Sequence, residues 1–207
     1  MTDAHLIVGL GNPGPQYAAT RHNIGQLVTE LLAARCGTSM PTRKHARANA
    51  AVAETRLPAA GGVPGPRVVI AQPWTFMNVS GGPVAALTRY YGLEPSQVIV
   101  AHDDVDLPFG AVRLKLGGGE GGHNGLRDIS RALGTRGYYR VRLGVGRPPG
   151  GQDTADFVLS RFTKAEVEWL PAFIDDGADA TTMLITDGLL AAQQRFHARP
   201  ETTTPTA

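Results

Sequence analysis

The amino-terminal segment of this chain constrains its fold more than any other part. Residues 6–10 (LIVGL) form an apolar run typical of a buried strand, and apolar residues recur at helical spacing over 24–32, before Gly37. Between them, residues 11–17 (GNPGPQY) are rich in turn-forming proline and glycine. This order predicts a strand, a rigid loop and a helix. His22 then lies at the helix N-terminus, at the sheet edge where open α/β folds carry their sites.

Strands and helices alternate along the rest of the chain. Further strands are predicted at 46–57, 67–71, 98–101, 111–116 and 139–145, and further helices at 80–92, 124–133 and 163–195, the last interrupted near Asp187. The pattern predicts an α/β fold with a single domain, in which a mixed, largely parallel twisted sheet is flanked by helices.

Three local details accompany this prediction. The first two of these further strands form a hairpin around a turn at 61–66, and Ser80 caps the helix that follows. We expect the domain to occupy residues 1–190. Residues 191–207 would then hold the end of the last helix and a disordered tail.

Composition limits the class of protein. A chain of 207 residues with 42% hydrophobic content can bury one substantial core. Its single cysteine, Cys36, excludes an internal disulfide and lies at a predicted helix end, where a packing role is expected. Neither a signal peptide nor a bilayer-spanning apolar run is present in the sequence, which predicts a soluble, cytoplasmic protein with no membrane partner.

Charged residues are segregated along the chain, although the formal net charge is only +2. Residues 35–67 contain six Lys or Arg and one Glu, and residues 113–147 contain eight Lys or Arg and two acidic residues. Residues 153–187 contain only two Lys or Arg but eight Asp or Glu. If the two basic stretches share a face, that face attracts a polyanion such as RNA. The alternative, from charge alone, is an ordinary solvated surface.

One segment matches a nucleotide-binding motif in sequence, but the residues around it do not fit nucleotide binding. Residues 9–14 (GLGNPG) fit the dinucleotide fingerprint G-x-G-x-x-G. Pro13 and Pro15, however, remove two of the backbone N–H donors that a pyrophosphate needs. Glu30, at the distance expected for the ribose-binding acid, lies within the predicted helix rather than at a strand end. Nucleotide binding is therefore not favoured.

His22 has a candidate partner in Asp103, which follows the predicted strand at 98–101 together with Asp104 and Asp106. A carboxylate bonded to one imidazole nitrogen fixes the tautomer and leaves the other nitrogen to take a proton from water. The alternative is that His22 caps its helix and Asp103 faces solvent.

Carboxamides strengthen the chemical interpretation, because four of them fall at predicted strand-to-helix transitions: Asn12, Asn23, Asn78 and Asn124. An amide can accept from water and donate to a carbonyl without titrating near neutrality. Such groups can orient an attacking water and stabilise the oxyanion of an ester hydrolysis. For any one asparagine alone, a turn role is the alternative.

Five motifs together resemble the bacterial peptidyl-tRNA hydrolase family. They are GLGNPG at 9–14, RHN at 21–23, TFMNVSG at 75–81, HD at 102–103 and KLGGGEGGHNG at 115–125. The resemblance covers nearly the whole chain, from about residue 6 to residue 189. It implies that a monomer hydrolyses the ester joining a peptide to the terminal ribose of tRNA, with no metal or organic cofactor.

The resemblance also implies roles for individual residues. His22 is the general base that activates water, and Asp103 orients it and stabilises its protonated form. Asn12 and Asn78 position the water and bind substrate. Asn124 contacts the peptide or the developing oxyanion.

The resemblance implies that Tyr17 and Met77 line the cleft and that Lys115 and Arg142 bind tRNA phosphate. His123, next to Asn124, is expected to shape the cleft. From the residues themselves, strand alternation places Arg140 and Arg142 on one face, so either could meet RNA. Phe76, like Met77, is more typical of a core than of a cleft.

Three residues depart from the family pattern: Glu120 in the glycine segment, Asp104 and Phe109. An acid at 120 could weaken RNA attraction locally, but none of the three removes a proposed catalytic group. A metal site built from His102, His123 and the nearby aspartates lacks an HExxH or cysteine-pair spacing and is not favoured. A noncatalytic RNA-binding protein on the same fold, as in related organellar splicing factors, and a small-molecule esterase are the rival functions.

Overall fold

The central element is one mixed β-sheet. The computed structural model describes residues 4–58, 63–148 and 150–197, and within them the strands are β1 (Ala4–Gly9), β2 (Ala50–Arg56), β3 (Arg67–Pro73), β4 (Val98–Asp104), β5 (Val112–Leu116) and β6 (Tyr139–Gly144). Their order across the sheet is β2-β3-β1-β4-β6-β5. The four inner strands run parallel, while β2 and β5 pair antiparallel at the two edges.

Helices cover both faces of the sheet. They are α1 (Ile24–Arg35), α2 (Gly81–Tyr90), α3 (Asn124–Leu133), α4 (Thr154–Val158), α5 (Lys164–Thr186) and α6 (Gly188–His197). Because side chains alternate along a strand, Ile7 and Val141 pack with α1, α5 and α6, whereas Val8 and Val100 pack with α2 and α3. The predicted fold class, a single α/β domain with a largely parallel sheet flanked by helices, is confirmed. No helix of the described residues has the length and hydrophobicity needed to cross a bilayer.

Most predicted elements lie where expected, and the helix at 124–133 matches α3. The predicted hairpin is formed by β2 and β3, although β2 begins at Ala50 rather than at 46. Residues 61 and 62 of its predicted turn lie outside the described residues. So do residues 198–207, where the disordered tail was expected, and that tail stays a prediction.

Two local predictions are wrong, and one short helix is missing from the prediction. Strand β4 continues through Asp103 and Asp104, because pairing with Leu143 and Gly144 of β6 extends the ladder past the apolar run. The Ser80 hydroxyl donates to the Met77 carbonyl (2.9 Å) instead of capping α2.

An aspartate from another helix replaces this cap, since the Gly81 N–H donates to Asp128 Oδ2 of α3 at 2.7 Å. The third difference is α4, which is too short to show a helical repeat in the sequence. Its start is nevertheless marked by Asp153, whose side chain accepts from the backbone N–H of Ala155 at 2.7 Å.

Helix α1 crosses the sheet at very short range. A Cβ on Gly25 would lie 2.2 Å from the carbonyl oxygen of Ala101 and 2.8 Å from the backbone nitrogen of Leu10. Both are backbone atoms of the sheet region and cannot rotate away. This contact sets the position of the helix that begins directly after His22.

We expect Gly25→Ala to lower the free energy of unfolding by about 3 kcal/mol or more, because the added methyl group overlaps fixed backbone. Gly82→Ala is the matched control, since a Cβ at this exposed position in α2 meets nothing within 4 Å. It should raise stability by about 0.5–1 kcal/mol. Urea unfolding measures both, and equal effects would contradict the close approach.

Candidate active site

A cleft of about 720 Å³ opens at the carboxyl edge of the parallel strands. All ten site residues expected from the sequence line it: Asn12, Tyr17, His22, Met77, Asn78, Asp103, Lys115, His123, Asn124 and Arg142. They come from the loop after β1, the turn before α2, the end of β4, strands β5 and β6, and the start of α3. The tertiary fold thus collects six segments of the chain in one place.

Two imidazoles share one carboxylate oxygen at the centre of this cleft. His22 Nδ1 lies 2.8 Å from Asp103 Oδ1, and His123 Nε2 lies 3.0 Å from the same oxygen. The Leu126 N–H donates to His123 Nδ1 (3.3 Å), so the proton of the neutral His123 ring is on Nε2 and points at Asp103. An ionised Asp103 likewise requires the His22 proton on Nδ1, which leaves His22 Nε2 as a free base.

Asp103 is buried, with 3% of its surface exposed, and its charge is compensated locally. Burial alone would raise the pKa of this carboxyl group. The charges and hydrogen bonds of His22 and His123 outweigh that effect and hold the pKa well below its ordinary value. Asp103 therefore stays an acceptor for both rings across the neutral range.

Asn12 is held by hydrogen bonds on both sides of its loop. Its backbone N–H donates to Asn23 Oδ1 (2.9 Å), and Asn23 Nδ2 donates back to the Asn12 carbonyl (3.0 Å). Asn12 Oδ1 accepts from the Met77 N–H at 2.8 Å, which joins the loop after β1 to the turn before α2. Because that oxygen is used, Asn12 offers the cleft its NH₂ group as a donor. Asn23, to which the sequence assigns no site role, holds the Asn12 backbone in place.

Aromatic side chains form one wall of the cleft. Tyr17 and Phe76 meet edge to face, with ring centroids 6.4 Å apart, and 55% of Phe76 is exposed. Met77 is buried beneath them, and a Cβ on Gly125 would lie 2.6 Å from its sulfur. The expectation that Phe76 belongs to the core is wrong. Its neighbour Met77 takes the inward position in the short 3₁₀ turn and leaves Phe76 facing outward.

Cations at the other end of the cleft are used in different ways. Arg140 is buried and donates to the carbonyls of Gly119 (2.5 Å) and Gly118 (2.8 Å), so it holds the glycine segment and is not available to RNA. Arg142 stays partly exposed, with its Nε 2.7 Å from Asp104 Oδ2. Lys115 is exposed, and its Nζ would lie 2.5 Å from a Cβ on Gly118. The lysine therefore crosses closely over the glycine segment.

The two basic stretches do not combine into one surface through their strands. β2 lies in the first and β5 in the second, and these strands form opposite edges of the sheet. Several of their cations are also neutralised, including Arg35 by Asp175 and Asp179. Glu120, a departure from the family pattern, pairs with Arg136 (2.7 Å) in the same way and so neutralises that cation.

Arg21, beside His22 in the RHN motif, is a supporting residue to which the sequence assigned no role. Its guanidinium is 2.7 Å from both Glu166 Oε2 and Ser160 Oγ and lies 4.4 Å from the ring centroid of Phe157. These contacts fasten the turn that carries His22 to α4 and α5. No sequence signal could identify them, because the partners lie about 140 residues further along the chain.

The imidazole and carboxylate atoms of His22, Asp103 and His123 lie within 4.8 Å of one another, a spacing that a metal ion could use. This group differs from the one considered in the sequence, which paired His102 with His123. The hydrogen bond from the Leu126 N–H places the His123 proton on Nε2, the nitrogen that faces Asp103. A ring N–H is not a metal ligand, so the geometry favours hydrogen bonding between these three groups.

His102 is buried directly beneath this site. Its Nδ1 lies 2.7 Å from the Asp103 carbonyl oxygen, to which it donates, and its Nε2 has no hydrogen-bond partner among the described residues. Burial and the neighbouring His123 lower its pKa to about 3, against the opposing effect of Asp103. His102 is therefore uncharged in the folded state at neutral pH.

We expect this ring to make the protein less stable in mild acid. As pH falls below the ordinary histidine pKa of about 6.5, His102 binds a proton in the unfolded chain but not in the folded state. His102→Asn keeps an N–H donor for the Asp103 carbonyl and does not titrate. Its free energy of unfolding should fall less between pH 7 and pH 4, by on the order of 2 kcal/mol, as measured by urea unfolding. Parallel losses in both proteins would contradict this.

Comparison with known proteins agrees with this architecture. Residues 6–204 match the family model for peptidyl-tRNA hydrolase. Peptidyl-tRNA hydrolases from Pseudarthrobacter chlorophenolicus and Kineococcus radiotolerans are 58% identical over 197 residues and 56% identical over 199 residues, covering 95% and 96% of this chain and 97% and 99% of their own lengths.

A solved structure extends the comparison to the fold. The peptidyl-tRNA hydrolase of Acinetobacter baumannii superposes with a TM-score of 0.84 at 33% identity, covering 98% of each chain. The family expected from the sequence motifs is confirmed: the chain belongs to the peptidyl-tRNA hydrolase family.

Proposed function

We propose that this chain hydrolyses the ester bond between the peptide and the tRNA of peptidyl-tRNA and so releases both. The observation that carries the proposal is the His22 ring, whose Nδ1 is bonded to the buried Asp103 and whose Nε2 is left as a base in a cleft lined by amides. Membership of the family identifies the substrate class. The chain works as a monomer in the cytoplasm, where it recycles tRNA.

The first chemical step is activation of water. His22 Nε2 takes a proton from a water molecule while the water oxygen attacks the ester carbonyl carbon. Asp103 stabilises the imidazolium through the Nδ1–H bond of 2.8 Å. His123 holds the same carboxylate oxygen from the other side and so restricts the direction in which Asp103 can turn.

Amide groups stabilise the tetrahedral intermediate. The NH₂ group of Asn12 faces the cleft because its oxygen is held by the Met77 N–H. Asn78 and Asn124 lie exposed at the same cleft and offer further donors. A single such donor contributes about 10²–10³ in rate. The intermediate then collapses, and the His22 imidazolium returns its proton to the ribose oxygen that leaves.

The two ends of the cleft receive different parts of the substrate. Lys115 and Arg142 at the cationic end bind phosphates of the tRNA acceptor stem. Tyr17, Phe76 and Met77 form an apolar wall beside the amides, which suits the peptide. RNA binding without catalysis would have no use for a histidine oriented by a buried carboxylate, so the hydrolase is the better-supported function.

We expect His22→Ala to abolish peptide release and to leave tRNA affinity largely unchanged. The loss should be about 10²-fold or more, because general-base catalysis contributes about that much. The measurement is hydrolysis of N-blocked aminoacyl-tRNA beside unblocked aminoacyl-tRNA, with and without a chelator. The wild type should prefer the blocked substrate and ignore the chelator.

The matched control for this variant is His45→Ala, which removes a histidine that packs on Tyr90 outside the cleft. It should retain normal turnover. Undiminished turnover of His22→Ala would disprove the mechanism, and loss of activity with chelator would show that a metal takes part.

We expect Lys115→Ala and Arg142→Ala to weaken tRNA binding and to reduce the salt slope by about one each, with nearly normal turnover at saturation. Arg89→Ala, an exposed arginine of α2 that does not line the cleft, is the control. Asp104→Asn should strengthen binding, since it removes the anion 2.7 Å from Arg142. Salt-dependent titration with tRNA measures all four, and an unchanged slope in the first two would exclude this phosphate path.

A further inference from the structure

The exposed side of edge strand β5 is completed by a helix. The Leu114 N–H, which points away from β6, donates to His197 Nε2 at 2.9 Å. The Leu114 carbonyl accepts from Gln193 Nε2 at 3.0 Å. Residues 193 and 197 are one turn apart on the same face of α6. Their side chains thus supply the two hydrogen bonds that a neighbouring strand would make.

Further contacts fasten the last turn of α6 to this edge. Arg113 Nη1 donates to the Phe196 carbonyl and to the Val112 carbonyl, both at 3.1 Å. Ala192 and the Phe196 ring are buried in the core between the sheet and α5. Helix α6 is therefore packed against β5 and the core as far as His197.

The hydrogen bond to Leu114 requires an uncharged histidine. A backbone N–H can donate to Nε2 only through the lone pair of that nitrogen, so a protonated ring would set one N–H against another. The charged groups acting on the ring are Arg113 on β5 and Arg142 on β6, and Arg142 is paired with Asp104 on β4. Burial and these two cations lower the pKa of His197.

This edge strand also carries the cationic end of the cleft. Lys115 directly follows Leu114, and Arg113 lies opposite Arg142 in the register of β5 and β6. A shift of β5 would therefore move the Lys115 ammonium relative to Arg142. The contacts of α6 are the ones that hold β5 from its free side.

We propose that His197 and Gln193 are positioning residues for tRNA binding: through the neutral His197 ring, α6 holds strand β5 in the place that aims Lys115 at the substrate. The proposal rests on the proposed role of Lys115 in binding tRNA. Since the folded state favours the uncharged ring, the stability that this hydrogen bond contributes is fully present above the ordinary histidine pKa and decreases as pH falls below it.

Amide hydrogen exchange tests the contact itself, in the full-length chain without RNA. His197→Leu should lower the protection factor of the Leu114 amide about tenfold, the effect of losing one buried hydrogen bond. His197→Gln is the matched control, because the Gln carboxamide oxygen can accept at the same position and does not titrate. Wild-type protection should fall between pH 7 and pH 5, and the protection in His197→Gln should fall less, because that variant lacks only the titration of residue 197. Equal pH dependence in wild type and His197→Gln would overturn the proposal.

Steady-state hydrolysis of N-blocked aminoacyl-tRNA tests the consequence. His197→Leu should raise KM about threefold to tenfold with kcat nearly unchanged, and His197→Gln should restore KM. An unchanged KM in His197→Leu would overturn the positioning role. Combining His197→Leu with Lys115→Ala separates the two proposals, since the double variant should bind no worse than Lys115→Ala alone. If Lys115→Ala by itself leaves KM unchanged, the role of Lys115 in the proposed function fails, whereas the exchange result for Leu114 stands.

Discussion

The buried carboxylate of Asp103 is the interaction on which the site depends. A charge removed from water is stable only when hydrogen-bond donors surround it, and here two imidazole N–H groups meet at one oxygen. That requirement sets the tautomer of His22 and leaves its Nε2 free. It also joins β4 to the turn before α1 and to the start of α3. The hydrogen bonds that compensate the charge of Asp103 therefore also prepare His22 to act as the base.

Around this centre many of the hydrogen bonds that hold the loops go to backbone groups. Asn23 holds Asn12, and Asn12 holds the turn at Met77. Arg140 holds the carbonyls of the glycine segment, and Gly25 lets α1 lie against the sheet. Hydrogen bonds of this kind can order loops that have no apolar core of their own without filling the cleft with side chains. The result is an open cleft whose lining loops are hydrogen-bonded to one another.

Sequence patterns predicted the secondary-structure elements better than the contacts between residues that are distant in the sequence. The periods of apolar residues placed β1, α1 and α3 because these are local properties. The resemblance to the family also implied that His22 and Asp103 are partners. Reasoning from the patterns misplaced the end of β4, since pairing with β6 overrides the change to acidic residues. It treated Phe76 as core and Arg140 as a candidate for RNA, because alternation defines a face but not what covers it.

The sequence by itself determined the fold class, the family and the identity of the chemical groups, because these follow from residue type and order. Only the tertiary structure decided which atom of each group is free. His22 and Asp103 are 81 positions apart, and Leu114 and His197 are 83 apart. The proton on each ring depends on those distant contacts, since an imidazole nitrogen is a donor or an acceptor according to its partner. The chemistry of the cleft thus depends on contacts that form only when the chain is folded.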